Sequence, residues 1–289
     1  MKLWILILIT GFLNTWQNNF TLQEKEISKS SPLPLIAKIS VLTIHVSDTI
    51  VHDSVFHFLS DQLGLPVEYY PVRWGDRKYA AVFAGNMFLE PCGPFTNFKY
   101  ARDYFKATFY GLNCESDRTI SSLEQDLIAR KIIFTKNNSI VITDTAITKQ
   151  NLYFGISQRE VLSQIKIKDE WAEDSLKVVL KNTTQNYAGI EAIKEVWIGY
   201  TGKGYAGKWN DLAKPGVISN TNIWKIRADQ SIRFVKNDRM EVMGIVFKVR
   251  SLEKTRQFLM EKKLLGKSDI DFIELEPAKV FGLRVYFSE

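Results

Sequence analysis

The sequence has few of the residues that most often bind metals or act as nucleophiles: 2 cysteines and 3 histidines among 289 residues. Cys92 and Cys114 belong to no CxxC motif, which excludes zinc-finger frameworks and leaves open whether the two form a disulfide. GxSxG, HExxH and P-loop motifs do not occur, so the enzyme classes that depend on them are excluded. Gly202–Gly207 matches GxGxxG in spacing, but it lacks the acidic partner and βαβ context of a dinucleotide site.

Charge of one sign is not concentrated in any part of the chain. The formal net charge is +6, and the Lys and Arg residues are spread along the sequence. Neither a basic run nor a paired-aromatic RNA-binding signature occurs. The sequence therefore predicts no nucleic-acid partner, and a lysine-rich solvated surface accounts for the excess positive charge.

No apolar run is long enough for a comfortable transmembrane helix. A mostly apolar stretch, Leu3–Leu13, follows Lys2 and has the length of a signal-peptide core. Residues 1–33 are therefore predicted to be a signal peptide with a flexible tether. The protein is then exported, to the periplasm or the cell exterior, with no integral membrane domain after cleavage. Because no small-residue cleavage site follows the run, an uncleaved N-terminal anchor and a buried first element stay open as alternatives.

Four copies of one supersecondary pattern follow the N-terminal segment. The clearest copy begins with an apolar strand at Ile39–Val46. Apolar residues then recur at helical spacing from Val51 to Leu63, and Gly64 ends the predicted helix. Three short strands are predicted after it, at Val67–Val72, Tyr79–Phe83 and Met87–Glu90. The pattern predicts a βαβββ unit.

The end of the chain repeats this pattern. Its predicted parts are a strand at 244–249, a helix at 252–259 that ends by Gly266, and strands at 270–275 and 283–287. Two weaker copies occupy residues 108–157 and 189–235. Pairing the units in chain order predicts two domains, at residues 34–157 and 189–289, joined by a charged, helix-like linker at 158–188. The predicted fold class is α/β (α+β).

This arrangement resembles the double-domain members of the glyoxalase-like, or vicinal oxygen chelate, superfamily. The fragments that carry the resemblance are Leu63–Val67, Gly85–Glu90, Ser231–Phe234, Lys248–Glu253 and Gly282–Leu283. Together they span most of residues 38–288. The resemblance implies two half-open β-barrels, each built from two units, with a pocket inside the barrel where a divalent metal often binds substrate. It implies isomerase, epoxide-opening or dioxygenase chemistry, or ligand binding alone.

The metal ligands of this family are His, Gln or Glu from the first strand of a unit and Glu from its last strand. Val41, Tyr110 and Gly244 occupy the corresponding first-strand positions in three units, and none binds a metal in the usual way. The third unit offers Glu195, and Glu90 matches the last-strand glutamate. The resemblance therefore implies that neither domain keeps a complete ligand set.

A displaced metal site is an alternative, because side chains alternate along a strand and His45 shares a face with Val41. His45, Glu90 and Cys114, with Cys92 on the face of Glu90, are the predicted ligands of one divalent Zn, Fe or Mn ion. A protein without any metal is equally open. In that case His45 and Glu90 are predicted to be catalytic, as an acid–base pair in which the carboxylate orients the imidazole.

Tyr110 in the first domain and Arg233 in the second are the predicted substrate-binding residues. An aromatic ring suits a planar ligand, and a guanidinium suits a carboxylate. The first functional hypothesis is an exported lyase or dioxygenase-type enzyme that acts on a small organic molecule in the first barrel. The alternatives are a non-catalytic, sequestering small-molecule-binding protein with degenerate metal sites, and a secreted scaffold. A homodimer is also left open.

Overall fold

The structure is a computed structural model, and it describes residues 34–95, 106–148, 152–158, 169–202 and 205–289. The predicted signal peptide and tether, residues 1–33, lie outside the described residues. Within that described part, no helix is both long enough and apolar enough to span a bilayer.

The described residues form fifteen strands and five α-helices. The strands are β1 (Lys38–Val46), β2 (Val67–Trp74), β3 (Arg77–Phe83), β4 (Phe88–Gly93), β5 (Ala107–Ser116), β6 (Phe134–Lys136), β7 (Ile140–Ile142), β8 (Tyr153–Gln158), β9 (Ile190–Tyr200), β10 (Ile223–Arg227), β11 (Gln230–Lys236), β12 (Val242–Val249), β13 (Leu265–Ser268), β14 (Ile273–Leu275) and β15 (Val285–Ser288). The helices are α1 (Thr49–His57), α2 (Ile120–Ala129), α3 (Asp169–Asn182), α4 (Tyr205–Ala213) and α5 (Leu252–Glu261).

Each sheet is built around the first strands of its two units. β1 pairs antiparallel with β5, and β9 pairs antiparallel with β12. Each of these strands also pairs in parallel with the last strand of its own unit, namely β4, β8, β11 or β15. The resulting orders are β2-β3-β4-β1-β5-β8-β7-β6 and β10-β11-β9-β12-β15-β14-β13. The predicted fold class, with two half-open barrels built from paired units, is confirmed.

The third unit forms the two strands predicted after its helix, β10 and β11, and an isolated bridge joins Ile218 to Trp224. One local prediction needs correction. In the fourth unit, the helix ends at Glu261 instead of continuing towards Gly266, because Lys263 takes a positive φ of 56°. Gly266 lies in β13, where an added Cβ would come within 2.9 Å of the Glu274 carbonyl oxygen.

Polar side chains at the ends of the first strands start the helices. The Asp48 carboxylate accepts hydrogen bonds from the backbone N–H groups of Ile50 and Val51 and caps α1. The Ser251 hydroxyl accepts from Lys254 N and caps α5 in the same way. The buried face of α1 packs into the core, so these caps determine where each helix crosses its sheet.

Two buried amide side chains join the two sheets. Asn86 donates to the carbonyl of Ile193 at 3.0 Å and accepts from its N–H at 3.1 Å. Gln230 makes the same pair of bonds with Ile39, at 3.0 Å each. Each amide therefore acts as a strand partner for the other sheet, and residues 34–289 form one compact unit. The boundaries of two separate domains stay a prediction.

The predicted linker contains the helix α3, whose bounds are Asp169–Asn182. Glu173 on this helix forms an ion pair with Lys38 at the start of β1. α3 also contacts β2, β3 and β9. This part of the linker therefore packs against both sheets.

Candidate ligand site

The first barrel places the predicted residues His45 and Glu90 on one face of its sheet. Along β1, Thr43 and His45 are half-buried on this inner face, whereas the alternate residues pack into the core beneath α1. β4 pairs with β1 so that Glu90 lies opposite Thr43, and Cys92 lies opposite His45. Within β1, His45 lies on the same face as Thr43, as alternation along the strand predicts.

A β-bulge in β5 decides where Tyr110 and Cys114 point. The register with β1 skips Tyr110, since Thr43 pairs with Gly111 and Ile44 pairs with Phe109. Tyr110 thereby joins the inner face, and every later residue of β5 changes side. Cys114 consequently points into the core, where it is completely buried. This corrects the prediction that Cys114 approaches His45 and Glu90.

Aromatic rings stack through the first barrel. The His45 imidazole lies between the rings of Phe95 and Tyr110, with both centroid distances at 3.6 Å. The Arg77 guanidinium covers the other face of Phe95 at 4.4 Å. Burial, and then the charge of Arg77, lower the pKa of His45 to about 3. His45 is therefore a neutral ring at physiological pH.

Glu90 is bonded to hydroxyl groups. The Tyr69 hydroxyl donates to the Glu90 carboxylate at 2.7 Å, and the Thr43 hydroxyl also bonds to it. Burial raises the pKa of Glu90, and these two bonds offset only part of that rise. Burial likewise raises the pKa of the neighbouring Cys92 thiol to about 11. Cys92 and Cys114 are both free thiols.

The second barrel carries an ion pair on the corresponding face. Arg233 donates to both carboxylate oxygens of Glu195, at 2.6 and 2.8 Å, and the Trp197 indole N–H donates to the same carboxylate at 2.9 Å. Burial acts to raise the pKa of Glu195, but the bonds from Arg233 and Trp197 lower it overall. Arg233 is predicted from the sequence to bind a carboxylate of the substrate. In the structure it binds the carboxylate of Glu195.

An open cleft of about 950 Å³ lies above this ion pair. Its floor includes Glu195, Arg233 and Lys194, and one wall is aromatic. Trp197 and Phe272 line that wall, with ring centroids 5.8 Å apart. The ring of Tyr286 packs against both of them, at 4.5 and 5.6 Å. A cleft of this size, with few polar groups at its base and rings at its side, suits a small organic molecule.

The two aromatic residues that line this cleft, Trp197 and Phe272, are not predicted from the sequence to be site residues, whereas Arg233 is. From the sequence alone, Trp197 belongs to a predicted strand and has no predicted role, and Ile270–Leu275 is predicted to be a single strand. The structure instead forms a turn at Asp269–Asp271 and begins β14 at Ile273. The Asp-Ile-Asp sequence is itself a turn signal, since the Asp269 carboxylate accepts from Asp271 N at 3.0 Å.

Comparisons with other proteins identify the fold. No protein-family model and no curated protein matches the chain. Among solved structures, a 4-hydroxymandelate synthase mutant from Streptomyces coelicolor matches with a TM-score of 0.55 at 10% identity, over 87% of this chain and 92% of that one. A variant of homoprotocatechuate 2,3-dioxygenase from B. fuscum matches with a TM-score of 0.53 at 11% identity, over 89% and 72%. A 2,3-dioxygenase from Pseudomonas sp. KL28 matches with a TM-score of 0.52 at 10% identity, over 89% and 93%.

The chain has the double glyoxalase-like fold that these solved structures share. The resemblance stated from the sequence fragments is thereby confirmed at the level of the fold. At about a tenth identity, the likeness carries no residue roles from the dioxygenases to this chain.

The residues of this glyoxalase-like fold do not fit a divalent metal. Within the described ranges, no three His, Cys, Asp or Glu side chains come together as a metal site needs. Cys114 lies in the core, on the opposite side of the sheet from His45 and Glu90. In the second barrel, Glu195 is held by Arg233, and the last strand presents Tyr286 opposite Val246. The predicted ligand set of His45, Glu90 and Cys114 is not assembled.

Proposed function

We propose that the protein binds a small organic molecule in the cleft of the second barrel and does so without a metal centre. The observation that carries this proposal is the open cleft of about 950 Å³ beside Trp197 and Phe272. The corresponding face of the first barrel holds the stacked rings of His45, Phe95 and Tyr110 instead. Function therefore moves from the first barrel, where the sequence placed it, to the second.

The side chains around the cleft divide the task of binding. The faces of Trp197 and Phe272 offer apolar contact to a planar ligand. The bonds from Arg233 to Glu195 use two of the five guanidinium N–H donors, so Arg233 keeps donors for a ligand atom. Because Glu195 fixes the position of Arg233, the polar base of the cleft is preorganised.

Binding is tested with three probes that share the quinoline ring: neutral quinoline, cationic N-methylquinolinium and anionic quinoline-2-carboxylate. We expect at least one of them to raise the melting temperature of the protein and to quench its tryptophan fluorescence. A fragment of this size binds with a Kd of about 0.1–1 mM. If none of the three binds up to about tenfold above that range, the proposal fails.

Two variants locate the bound probe. Phe272→Ala removes half of the aromatic wall and is expected to weaken binding about tenfold. Trp197→Phe keeps an aromatic ring, so the melting shift persists while much of the quenching disappears. Tyr70→Ala, which removes an exposed ring from the first sheet, is the matched control. Equal loss of binding in Tyr70→Ala and Phe272→Ala would place the probe elsewhere.

A lyase or dioxygenase-type enzyme is the second candidate. Its support is the fold shared with the solved structures of a 4-hydroxymandelate synthase and two dioxygenases. In this case His45 and Glu90 keep the catalytic roles predicted from the sequence, and Tyr110 contacts the substrate. Metal content decides this candidate: about one equivalent of Fe, Mn or Zn by plasma mass spectrometry, lost in Glu90→Ala, would support it. Protein that stays metal-free after anaerobic loading with each ion would eliminate it.

Export is proposed on the apolar run at Leu3–Leu13 alone. We expect the mature protein to begin between that run and residue 34. N-terminal sequencing of protein recovered from the cell exterior or periplasm tests this. An intact N-terminus on such protein would favour the uncleaved anchor, and recovery only from the cytoplasm would contradict export. The homodimer also stays a prediction, for which light scattering is the measurement.

A further inference from the structure

The charges around the cleft differ from those of the whole chain. Four acidic side chains and two basic ones line it, although the chain has a net charge of +6. Arg233 is neutralised by Glu195. Among the described residues that line the cleft, Lys194 is then the one basic side chain outside this pair, and Asp269, Asp271 and Glu289 are the acidic ones. The Lys194 ammonium donates to the Ser288 hydroxyl at 3.1 Å and to the Glu289 main-chain oxygen at 2.6 Å. The cleft is an electronegative region on a basic protein.

The charged side chains on the elements packed around the cleft do not reverse its negative charge. On α5, Arg256 donates to the backbone carbonyl of Asp269, and its charge is balanced by Glu253 at 2.6 Å. Behind the aromatic wall, Glu274 and Arg284 both interact with Tyr286 and form an oppositely charged set. The Glu289 carboxylate accepts a hydrogen bond from Leu252 N at the start of α5, where the helix dipole favours a carboxylate.

The aromatic wall also favours a positively charged ligand. Trp197 and Phe272 line the cleft with interplanar angle 19°, so their faces are nearly parallel. The face of an aromatic ring carries the negative part of its quadrupole, and tryptophan attracts cations most strongly. A flat, positively charged group would stack against this wall. The carboxylates of Asp269, Asp271 and Glu289, which form the mouth of the cleft, would offset its charge.

We propose that the ligand of this cleft is a planar organic cation. The inference rests on the proposed binding function, and it names the charge and shape of the molecule that the cleft takes. Both the ring faces of Trp197 and Phe272 and the excess of carboxylates at the mouth act in the same direction. Arg233 has guanidinium N–H groups beyond the two that bond to Glu195, and these can serve a polar substituent of the same molecule.

The three quinoline-ring probes test the charge preference directly, because their ring size is the same. On the full chain, calorimetric titration is expected to rank N-methylquinolinium above quinoline, and quinoline above quinoline-2-carboxylate. Cation and anion should differ at least about tenfold in Kd at low salt. The difference should shrink as salt is added, since the mouth of the cleft is exposed.

Variants that replace aspartate by asparagine distinguish the effect of the charges at the mouth of the cleft from the effect of charges elsewhere on the surface. Asp269→Asn with Asp271→Asn keeps the side-chain oxygen that accepts from Asp271 N and removes two negative charges. This double variant should weaken N-methylquinolinium about three- to tenfold and leave quinoline unchanged. Asp76→Asn, at an exposed turn of the first sheet, is the matched control and should change neither Kd.

The outcomes distinguish the inference from the function it rests on. Tighter binding of the cation that depends on Asp269 and Asp271 supports the inference. Equal binding of quinoline and N-methylquinolinium, or tighter binding of the carboxylate, overturns the cation while the binding function stands. Failure of all three probes overturns both.

Discussion

The two barrels share one arrangement of strands but use their inner faces differently. In the first, the rings of Tyr110, His45 and Phe95 stack on each other in the lumen. In the second, a salt bridge between Arg233 and Glu195 lies at the base of an open cleft. Rings pack with one another and occupy space, whereas a bidentate ion pair holds two side chains flat against the sheet. The same backbone therefore carries stacked rings on one inner face and an ion pair beside a cleft on the other.

Position in the fold does not identify the functional barrel. Glu90 matches the family glutamate of the first barrel, yet it is bonded by the hydroxyls of Tyr69 and Thr43. Glycines in the first barrel serve packing as well: a Cβ at Gly111 would lie 3.0 Å from the Tyr153 side chain. A retained motif residue can be part of the packing of a barrel.

The largest effect is expected from breaking the ion pair of the second barrel. Arg233→Met leaves the Glu195 carboxylate buried without its cation, and should lower the free energy of unfolding by about 3 kcal/mol. Adding Glu195→Gln should recover a large part of the loss, because no buried charge remains. Urea denaturation measures both values. Arg227→Met, which removes an exposed partner of Asp229, is the control, and an equal loss there would contradict the burial argument.

Removing a ring from the first barrel should lower the free energy of unfolding by somewhat less than breaking the ion pair does. His45→Ala removes the central ring between Phe95 and Tyr110, and should lower the free energy of unfolding by about 2 kcal/mol. Added 4-methylimidazole should raise the melting temperature of this variant by filling the vacated space. The exposed His57→Ala is the control. A similar rise in the wild-type protein would show that the added ring binds elsewhere.

Acidification should distinguish the two barrels through His45. Its pKa of about 3 lies below the ordinary value of 6.5, so the unfolded chain binds the proton first. The stability that neutral His45 contributes is complete above pH 6.5 and is lost as the pH falls towards 3, by at most about 1.4 kcal/mol per pH unit. His45→Phe, which keeps a ring but cannot titrate, should show a shallower decline in denaturation midpoints. Identical pH profiles for the variant and the wild type would contradict this assignment.

The smallest effect is expected at Glu90, and its sign is opposite. Burial raises the pKa of Glu90, so at neutral pH the folded state holds an unfavourable carboxylate. Glu90→Gln keeps an oxygen for the Tyr69 hydroxyl and should stabilise the protein by about 0.5–1 kcal/mol at pH 7. The gain should disappear as the pH falls and wild-type Glu90 becomes protonated. Thermal unfolding at several pH values measures it, and destabilisation at pH 7 would show that Glu90 needs its charge.

Much of the fold was predictable from local patterns. Apolar alternation in β1, the Asp48 cap and the helix that follows it are properties of neighbouring residues, so they could be predicted without knowing what they pack against. The face shared by His45 and Glu90 followed from the same alternation. The position of Cys114 did not, because the bulge at Tyr110 reverses which face the later side chains of β5 occupy.

The repeated units, their order and the class of fold were already specified in the sequence, since these depend on periodicities of two and 3.6 residues repeated along the chain. Which side chains line the inner face of each barrel was settled by tertiary contacts. That choice depends on residues far apart in the chain, such as Arg233 with Glu195 and Phe272 with Trp197. Their side chains meet because strands from different units pair in one sheet, and no local pattern of residues contains that register.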